Sequence, residues 1–252
     1  MYQTLQVTHQ AAIQTITLNR LQEHNSINAL FIKELMFAVT EAEKDPNNRI
    51  ILLRGRGGVF CTGMDFKATV QEDKPLESEA YMVLLRRFAT IPRVVIACVE
   101  GIVIAGGMGL VAASDIVLAT PDSQFSLSEA LWGLLPCCVA PYLIRRIGFQ
   151  AAYRLTLTTQ TISGEEAQRL QLVDVLTQTP DEEIRKQSLR LKRLHPETLQ
   201  DMKQYFRKMW LINENMERTA VEEITRLAQL SRVQQNIANY VQKQQFPWEV
   251  NG

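Results

Sequence analysis

The sequence predicts an α/β fold in which strands and helices alternate and a purely helical region follows. Apolar runs with the length and composition of buried strands stand at 50–55, 94–99 and 116–119. After Pro180 the strand patterns give way to helical ones, at about 181–194, 197–213 and 217–245 in pieces. This order favours α/β layers with a helical extension. We expect a core of residues 1–195 and a helical region of residues 196–252.

The composition is that of a soluble globular protein without a dominant charge. Of the 252 residues, 46% are hydrophobic, and the 27 Lys and Arg balance the 27 Asp and Glu. No global field therefore favours nucleic acid or a membrane as partner. Residues 1–20 lack the basic region and apolar core of a secretory signal, and no apolar run reaches the roughly 18 residues of a membrane span. The four cysteines lack paired spacing, as expected for reduced thiols in a cytoplasmic protein.

The first half of the chain alternates between strand and helix signals. Polar and apolar residues alternate over 2–8 and 12–18, which predicts a hairpin. The segment 29–45 has an apolar side at helical spacing and predicts a helix. The charged segment 67–78 predicts an irregular, mobile loop, and 79–90 predicts a second helix.

The second half contains a run of small residues between two buried strands. The strands are predicted at 94–99 and 116–119, and the small residues between them predict a helix at 106–113. The segment 124–129 alternates in polarity and ends at an acid. Further helices are predicted at 140–147, 150–157 and 164–170, and one more short strand at 172–176.

Two glycine-containing turns follow successive strands and form the candidate site. They are Cys61-Thr62-Gly63-Met64-Asp65 and Ile104-Ala105-Gly106-Gly107. The N–H groups of Met64 and Gly106 could together hold one developing oxyanion. Such a pair suits enolate chemistry, in which removal of a proton beside a thioester moves charge onto the carbonyl oxygen. The glycines could equally serve close packing of a helix on a sheet, and they match neither a dinucleotide nor a P-loop fingerprint.

The order of several motifs resembles the crotonase superfamily, the enoyl-CoA hydratases and isomerases. The resemblance covers nearly the whole chain and implies repeated ββα units with a C-terminal helical region that packs in a homotrimer. It also implies acyl thioesters of pantetheine as substrates, with no metal and no cofactor besides the pantetheine carrier. The segments that carry it lie at 60–65, 101–115, 125–129, 162–167 and 172–174.

The resemblance implies a role for each residue of the candidate site. Met64 and Gly106 match the oxyanion donors of the family. Hydratases of the family use two glutamates, of which Glu129 is present while Gly109 stands in the place of the other. The hydratase pattern is half kept, so Asp65 becomes the candidate second acid. Burial of Glu129 would raise its pKa and suit it to proton transfer. The structural alternatives are a solvated Glu129 and an Asp65 that caps the following turn.

Four more residues are assigned to substrate binding. Gly63 and Gly107 belong to the two turns, and Tyr81 could line the pocket, with a core position as an equal alternative. Cys138 is expected to pack against the acyl group rather than act as a nucleophile. No Ser-His-Asp arrangement or metal-ligand cluster is visible, since the three histidines are scattered.

One subgroup of the superfamily is the nearest in its motifs. The segments at 135–141, 143–148 and 246–249 resemble the 3-hydroxy-3-methylglutaryl-acyl-carrier-protein dehydratases of polyketide β-branching. The resemblance implies loss of water to give 3-methylglutaconyl-acyl-carrier protein, with acyl carrier protein and a decarboxylating crotonase as pathway partners. The alternatives are an enoyl-CoA hydratase/isomerase acting on acyl-CoA, the decarboxylating crotonase itself, and a non-catalytic RNA-binding relative.

Overall fold

The computed structural model describes residues 2–71, 77–210 and 213–249. Within these ranges, strands and helices alternate as far as α7, and only helices follow. The strands are β1 (Leu5–Gln10), β2 (Ile13–Leu18), β3 (Ile50–Gly55), β4 (Val59–Cys61), β5 (Val94–Val99), β6 (Ile102–Ile104), β7 (Ile116–Ala119), β8 (Gln124–Ser126), β9 (Ile162–Ser163) and β10 (Val175–Leu176). The α-helices are α1 (Ala29–Lys44), α2 (Phe66–Gln71), α3 (Ser78–Thr90), α4 (Gly106–Ala113), α5 (Ala140–Thr158), α6 (Gly164–Arg169), α7 (Pro180–Leu191), α8 (Pro196–Met209), α9 (Glu214–Ala228) and α10 (Ser231–Lys243).

The strands form two sheets between which the repeated units are divided. The larger sheet has the order β1-β2-β3-β5-β7-β10, and the smaller has the order β4-β6-β8-β9. In each of the successive pairs β3-β4, β5-β6 and β7-β8, the first strand joins the larger sheet and the second joins the smaller one. Helices follow each pair. This is the repeated ββα arrangement that the resemblance to the crotonase superfamily implies.

The smaller sheet brings three loops to one edge. Its strands β4, β6 and β8 are neighbours and run parallel. The carboxyl ends of parallel strands meet at the same edge of a sheet, which is where ligand sites of α/β proteins are commonly built. The segments that leave these three ends contain Met64, Gly106 and Glu129.

Helix α4 lies at the centre of the main hydrophobic core. Each of its eight residues is buried. It contacts the helices α3 and α5 and the strands β4 and β6. Because its residues are small or apolar, these elements can approach it closely, which fixes the position of its N-terminus.

Two predicted segments differ from the structure. The irregular loop expected at 67–78 is wrong at its start, because α2 forms there; Asp65 caps it by accepting a hydrogen bond from the Ala68 N–H, at 3.1 Å. Residues 72–76 of that prediction lie outside the described ranges. The strand expected at 172–176 is confined to β10, because the N–H groups of Leu172 and Val173 bond instead to the Ala167 carbonyl.

Other predicted bounds shift by a few residues. The hairpin is formed by β1 and β2 rather than by 2–8 and 12–18. The two helices predicted at 140–147 and 150–157 are joined as α5, with a break at Gly148, where φ is 76°. Helix α8 ends at Met209, before the predicted end at 213, and residues 211–212 lie outside the described ranges.

The C-terminal helices pack onto the α/β layers. Ala220, Ile224 and Leu227 of α9 and Val233 and Ile237 of α10 belong to the main core. The boundary at residue 195 stays a prediction. Among the described residues, no helix combines the length and the apolar character that crossing a membrane requires.

A buried glutamate ties α9 to two other helices. Glu217 pairs with Arg86 of α3 at 3.1 Å and with Arg207 of α8 at 3.2 Å, and its side chain is only 5% exposed. Removing one member of a buried ion pair leaves uncompensated charge behind. This triad therefore fastens the C-terminal helices to the core.

We expect Glu217→Ala to lower the free energy of unfolding by about 2–4 kcal/mol, since both guanidiniums lose their partner and keep partial exposure. Glu217→Gln keeps the size of the side chain and an acceptor oxygen for one of the two arginines, so it is expected to cost less than Glu217→Ala. Glu222→Ala is the matched control, because Glu222 faces solvent and its pair with Arg218 is long, at 3.7 Å. Denaturant unfolding followed by circular dichroism measures all three, and equal losses for Glu217→Ala and Glu222→Ala would contradict the assignment.

Candidate active site

A cavity of about 870 Å³ opens at the carboxyl edge of the smaller sheet. The loops after β4, β6 and β8 contribute Met64, Gly106 and Glu129 to its wall. The predicted residues Asp65, Tyr81 and Cys138 also line it. The structure therefore brings six of the eight sequence-predicted site residues to one cavity.

The two predicted oxyanion donors converge. Ile27 forms a β-bridge with Met64 by donating to the Gly63 carbonyl at 2.7 Å and accepting from the Asp65 N–H at 2.9 Å. In such a bridge the N–H of Met64 points away from Ile27. The Gly106 N–H lies in the first turn of α4, where helix amides have no partner within the helix. Neither N–H donates a hydrogen bond within the described part of the chain.

Gly63 and Gly107 allow the turns to approach but do not line the cavity. A Cβ at Gly63 would lie 2.9 Å from the Gly106 nitrogen and 2.8 Å from the Ala105 Cβ, and φ at Gly63 is +85°. A Cβ at Gly107 would collide with the Cys61 carbonyl oxygen. These contacts favour close backbone packing over the substrate contact that was predicted for the two glycines.

Ala105 holds a strained backbone conformation directly before the Gly106 amide. Its φ is 50° and its ψ is −119°, which L-residues rarely adopt. Such a residue costs about 1–3 kcal/mol and persists only where its surroundings hold it. The Ala105 N–H donates to the Ser126 carbonyl of β8 at 3.0 Å, and its own carbonyl accepts from Met108 at 2.9 Å. Strain of this kind fixes the direction of the following N–H.

Glu129 begins a 3₁₀ helix, Glu129–Trp132, just after β8. The residue as a whole is half-buried, but its Oε2 is inaccessible to solvent and has no hydrogen-bond partner among the described residues. Burial raises the pKa of the carboxyl group to about 7, and a hydrogen bond from its own backbone N–H opposes this only in part. A carboxyl group with a pKa near neutrality can both accept and donate a proton.

Asp65 sits in a different electrostatic environment. Its Oδ2 lies 2.9 Å from Nη2 of Arg20, and its Oδ1 caps α2. Burial raises its pKa, but the hydrogen bond from Ala68 and the Arg20 guanidinium outweigh burial, so the pKa is lowered overall. The geometry favours the capping alternative over the role of second acid. The sequence showed no signal for Arg20, which lies in the loop before α1.

Tyr81 fills the space beside Gly109. Its hydroxyl donates a hydrogen bond to the Gly106 carbonyl. A Cβ at Gly109 would collide with that hydroxyl. No side chain fits at position 109 while Tyr81 keeps this position. The cavity therefore has no second carboxylate on α4.

Cys138 is a packed thiol. Its side chain is buried, and Sγ donates weakly to the Ser78 carbonyl at 3.8 Å. Burial raises the pKa of Cys138 to about 12, so the thiol stays protonated at neutral pH. This is consistent with the predicted packing role and disfavours nucleophilic catalysis. Among the described residues, no group of His, Cys, Asp and Glu could hold a metal ion.

Five aromatic side chains that pack on one another line part of the cavity, and the sequence analysis did not predict them. Trp132 lies at their centre, with ring centroids 5.1 Å from Phe66 and Tyr240 and 6.1 Å from Phe246 and Trp248. All five line the cavity. The only part of this group that the sequence analysis had singled out was the segment 246–249, which contains Phe246 and Trp248. Trp132 is buried, and the five rings make this part of the cavity wall apolar.

Known proteins share this fold and much of this sequence. A family model described as enoyl-CoA hydratase/isomerase matches residues 8–251. The chain is 38% identical to bacillaene synthase dehydratase PksH of Bacillus subtilis, over 98% of this chain and 97% of that protein. A crystal structure of PksH from Bacillus subtilis superimposes with a TM-score of 0.92 at 35% identity, covering 98% of this chain and 100% of the other.

More distant relatives match less closely. The 1,2-epoxyphenylacetyl-CoA isomerase of Escherichia coli is 32% identical over 62% of this chain and 62% of its own. The structure of AtuE from Pseudomonas aeruginosa has a TM-score of 0.77 at 30% identity, over 98% of this chain and 100% of that one.

We expect proton abstraction by the site to depend on the ionisation of Glu129. The carboxylate is the base, so exchange of the proton beside a bound thioester is expected to rise with pH and reach half its maximum near 7. Exchange into deuterated buffer, followed by mass spectrometry from about pH 5.5 to 8.5, measures it. A rate that is flat across this range would contradict the assignment.

We also expect the same group to affect stability. The folded-state pKa is raised above that of an exposed glutamate, about 4.3. The protonated carboxyl group therefore contributes fully to the free energy of unfolding below that value. This contribution is lost as pH rises through about 7, because the buried group then ionises. Glu129→Gln is expected to raise the melting temperature relative to the wild type more at pH 8 than at pH 5, as measured by calorimetry. An equal change at both pH values would contradict the raised pKa.

Proposed function

Since the chain belongs to the enoyl-CoA hydratase/isomerase family, we propose that it eliminates water from (S)-3-hydroxy-3-methylglutaryl-acyl-carrier protein to give 3-methylglutaconyl-acyl-carrier protein in polyketide β-branching. One observation carries this proposal. Glu129, a carboxyl group with a pKa near 7, lies in the same cavity as the backbone N–H groups of Met64 and Gly106, which donate no hydrogen bond within the described part of the chain. Gly109 offers no place for a second carboxylate, and Asp65 is held by Arg20. The 38% identity to a polyketide dehydratase supports this choice within the family.

The proposed reaction uses one carboxyl group twice. The Glu129 carboxylate removes the proton from the carbon beside the thioester, and the electron pair moves to the carbonyl oxygen. The N–H groups of Met64 and Gly106 stabilise this enolate. The enolate then re-forms the carbonyl as the bond between the β-carbon and the hydroxyl oxygen breaks. The hydroxyl takes the proton from Glu129 and leaves as water, which regenerates the carboxylate.

The proposed carrier and partners follow from the substrate. The acyl group would be presented on the phosphopantetheine of an acyl carrier protein, and no further cofactor takes part in the steps above. In the product the double bond is conjugated with the thioester, and the distal carboxylate is carried on the methylene group attached to the β-carbon. Loss of carbon dioxide would leave an electron pair that delocalises through the double bond onto the thioester, so the product is suited to the decarboxylating crotonase that we propose as the next enzyme. We place both steps in the cytoplasm.

A thioester isomerase on acyl-CoA is the second candidate, because the same three groups could also move a double bond. Glu129 would remove a proton from one carbon and return it to another, with no leaving hydroxyl. Decarboxylation is less favoured, because loss of carbon dioxide needs no protein group to remove a proton from carbon, whereas the cavity retains Glu129.

We expect Glu129→Gln to abolish dehydration, because the amide cannot accept the proton. Asp65→Asn is expected to lower kcat by less than about 10-fold, since the neutral side chain can still cap α2. Liquid chromatography with mass spectrometry of the carrier-bound product measures both variants, with oligomeric state as a folding control. Normal dehydration by Glu129→Gln would overturn the mechanism. Turnover of 3-enoyl-CoA without turnover of the 3-hydroxy-3-methylglutaryl carrier would favour the isomerase.

The predicted homotrimer has candidate contact surfaces on two helices. Helix α8 exposes Met202, Tyr205, Phe206 and Met209, and α5 exposes Phe149, Tyr153 and Leu157. Each set recurs at three- or four-residue spacing and so forms a continuous apolar stripe. Apolar stripes of this kind on a surface mark protein interfaces.

We expect Phe206→Asp to weaken the trimer, because the stripe on α8 would then bury an unpaired charge. Phe37→Asp is the control, since Phe37 is similarly exposed but lies on α1, outside both stripes. Light scattering after size-exclusion chromatography gives the molar mass of each variant. A monomeric wild type would contradict the proposed trimer, and an unchanged mass for Phe206→Asp would remove α8 from its interface.

A further inference from the structure

Tyr81 is placed to act on the oxyanion hole without contacting the reacting atoms. The residue is 1% exposed, and its hydroxyl is directed at the backbone of α4. The hydrogen bond to the Gly106 carbonyl reaches the first turn of α4, which also supplies the Gly106 N–H. The hydroxyl therefore touches the same residue that offers its amide to the substrate.

The Gly106 amide needs such support because its direction depends on a strained residue. The torsions of Ala105 set the plane of the Ala105–Gly106 peptide, and Ala105 has a φ of 50°. The bond from the Ala105 N–H to Ser126 fixes the turn on its N-terminal side. On the C-terminal side, the Tyr81 hydroxyl fixes the Gly106 carbonyl. Strained conformations persist only where the surrounding structure holds them in place.

Gly109 makes this contact possible. A Cβ there would occupy the space of the Tyr81 hydroxyl, whereas the next atoms, Tyr81 Cζ and Val139 Cγ2, would each lie 3.2 Å away. A methyl group at position 109 would therefore collide with the hydroxyl of Tyr81. It would nearly fit beside the ring if residue 81 had no hydroxyl, as in Tyr81→Phe. The absence of a side chain at Gly109 and the hydroxyl of Tyr81 are two parts of one arrangement.

We propose that Tyr81 is a positioning residue of this enzyme, whose hydroxyl occupies the space left by Gly109 and holds the Gly106 amide in the direction that the oxyanion requires. This inference rests on the proposed enolate chemistry but not on the identity of the acyl group. It assigns Tyr81 a task other than the substrate contact that the sequence predicted.

The first test is the response of kcat and KM to Tyr81→Phe, with whichever thioester the wild type turns over. Loss of a whole oxyanion donor costs about 10²–10³ in kcat, so a misdirected donor is expected to cost about 10–100-fold. KM and the pH midpoint set by Glu129 are expected to stay unchanged, because neither binding nor the acid is altered. Tyr142→Phe is the matched control, since Tyr142 is equally buried, packs on Trp210 and does not line the cavity.

The second test is a double-mutant cycle with Gly109→Ala. Alone, this substitution displaces the Tyr81 hydroxyl and is expected to lower kcat as much as Tyr81→Phe does. Combined with Tyr81→Phe, it is expected to cause little further loss, because the hydroxyl is already absent. Coupled neighbours give such non-additive effects. If the fold losses in kcat of the two single variants multiply in the double variant, the proposal is overturned. Thermal melting of each variant checks that the loss of activity does not come from unfolding.

A third measurement separates this inference from the proposed reaction. A bound acetoacetyl pantetheine thioester reports the oxyanion hole directly, since the fraction present as enolate is read from its ultraviolet absorbance. We expect enolate enrichment on the wild type and on Tyr142→Phe, and a clear decrease on Tyr81→Phe. Equal enolate fractions on Tyr81→Phe and the wild type would overturn the role of Tyr81. Failure to dehydrate the 3-hydroxy-3-methylglutaryl carrier would instead overturn only the proposed substrate.

Discussion

The close approach of two backbone turns is the constraint on which the rest of the site depends. The Cα of Gly63 lies so near the Gly106 nitrogen that no side chain fits at position 63. This contact requires β4 and β6 to be parallel neighbours, and it requires α4 to start immediately after β6. The burial of α4 on all sides keeps its N-terminus in place. The free amides are thus positioned by the fold before any ligand arrives, which is how an oxyanion hole avoids reorganisation during the reaction.

The sequence predicted the architecture well but did not predict which side chains contact one another. The α/β layers and the helical extension are confirmed, because apolar runs of strand length and helical periodicity are local signals. The repeated ββα units and the crotonase-type fold, which the resemblance to that superfamily implied, are also confirmed. The bounds of α2 and β10 were missed because they depend on a cap at Asp65 and on backbone bonds to Ala167. No pattern in the sequence could show that Tyr81 points at Gly109, since the two residues meet only through the packing of α3 on α4.

The two carboxyl groups of the candidate site, Asp65 and Glu129, show how the surroundings of a residue determine its chemical role. Asp65 bonds to a guanidinium and a helix N-terminus, both of which stabilise its charge. Glu129 has a buried oxygen without a partner, which destabilises its charge. Their pKa values are therefore displaced in opposite directions, a pattern that distinguishes a fixed anion from a group that moves protons. From sequence alone both were acids beside a predicted site, and only the contact of Asp65 with Arg20 and the burial of the Glu129 Oε2 separate them.

A single mobile proton also constrains the stereochemistry of the proposed elimination. If one carboxyl group both removes the proton and protonates the leaving hydroxyl, then both groups must leave from the face of the substrate that Glu129 reaches. Loss of water is then a syn process, and the acyl chain must be held with both bonds directed to that face. The amides of Met64 and Gly106 fix only the carbonyl end of the chain. We place the other end against the five aromatic side chains around Trp132, which line the same cavity. On this placement, the orientation that makes a single acid sufficient depends on side chains brought together from α2, α10 and the C-terminal segment.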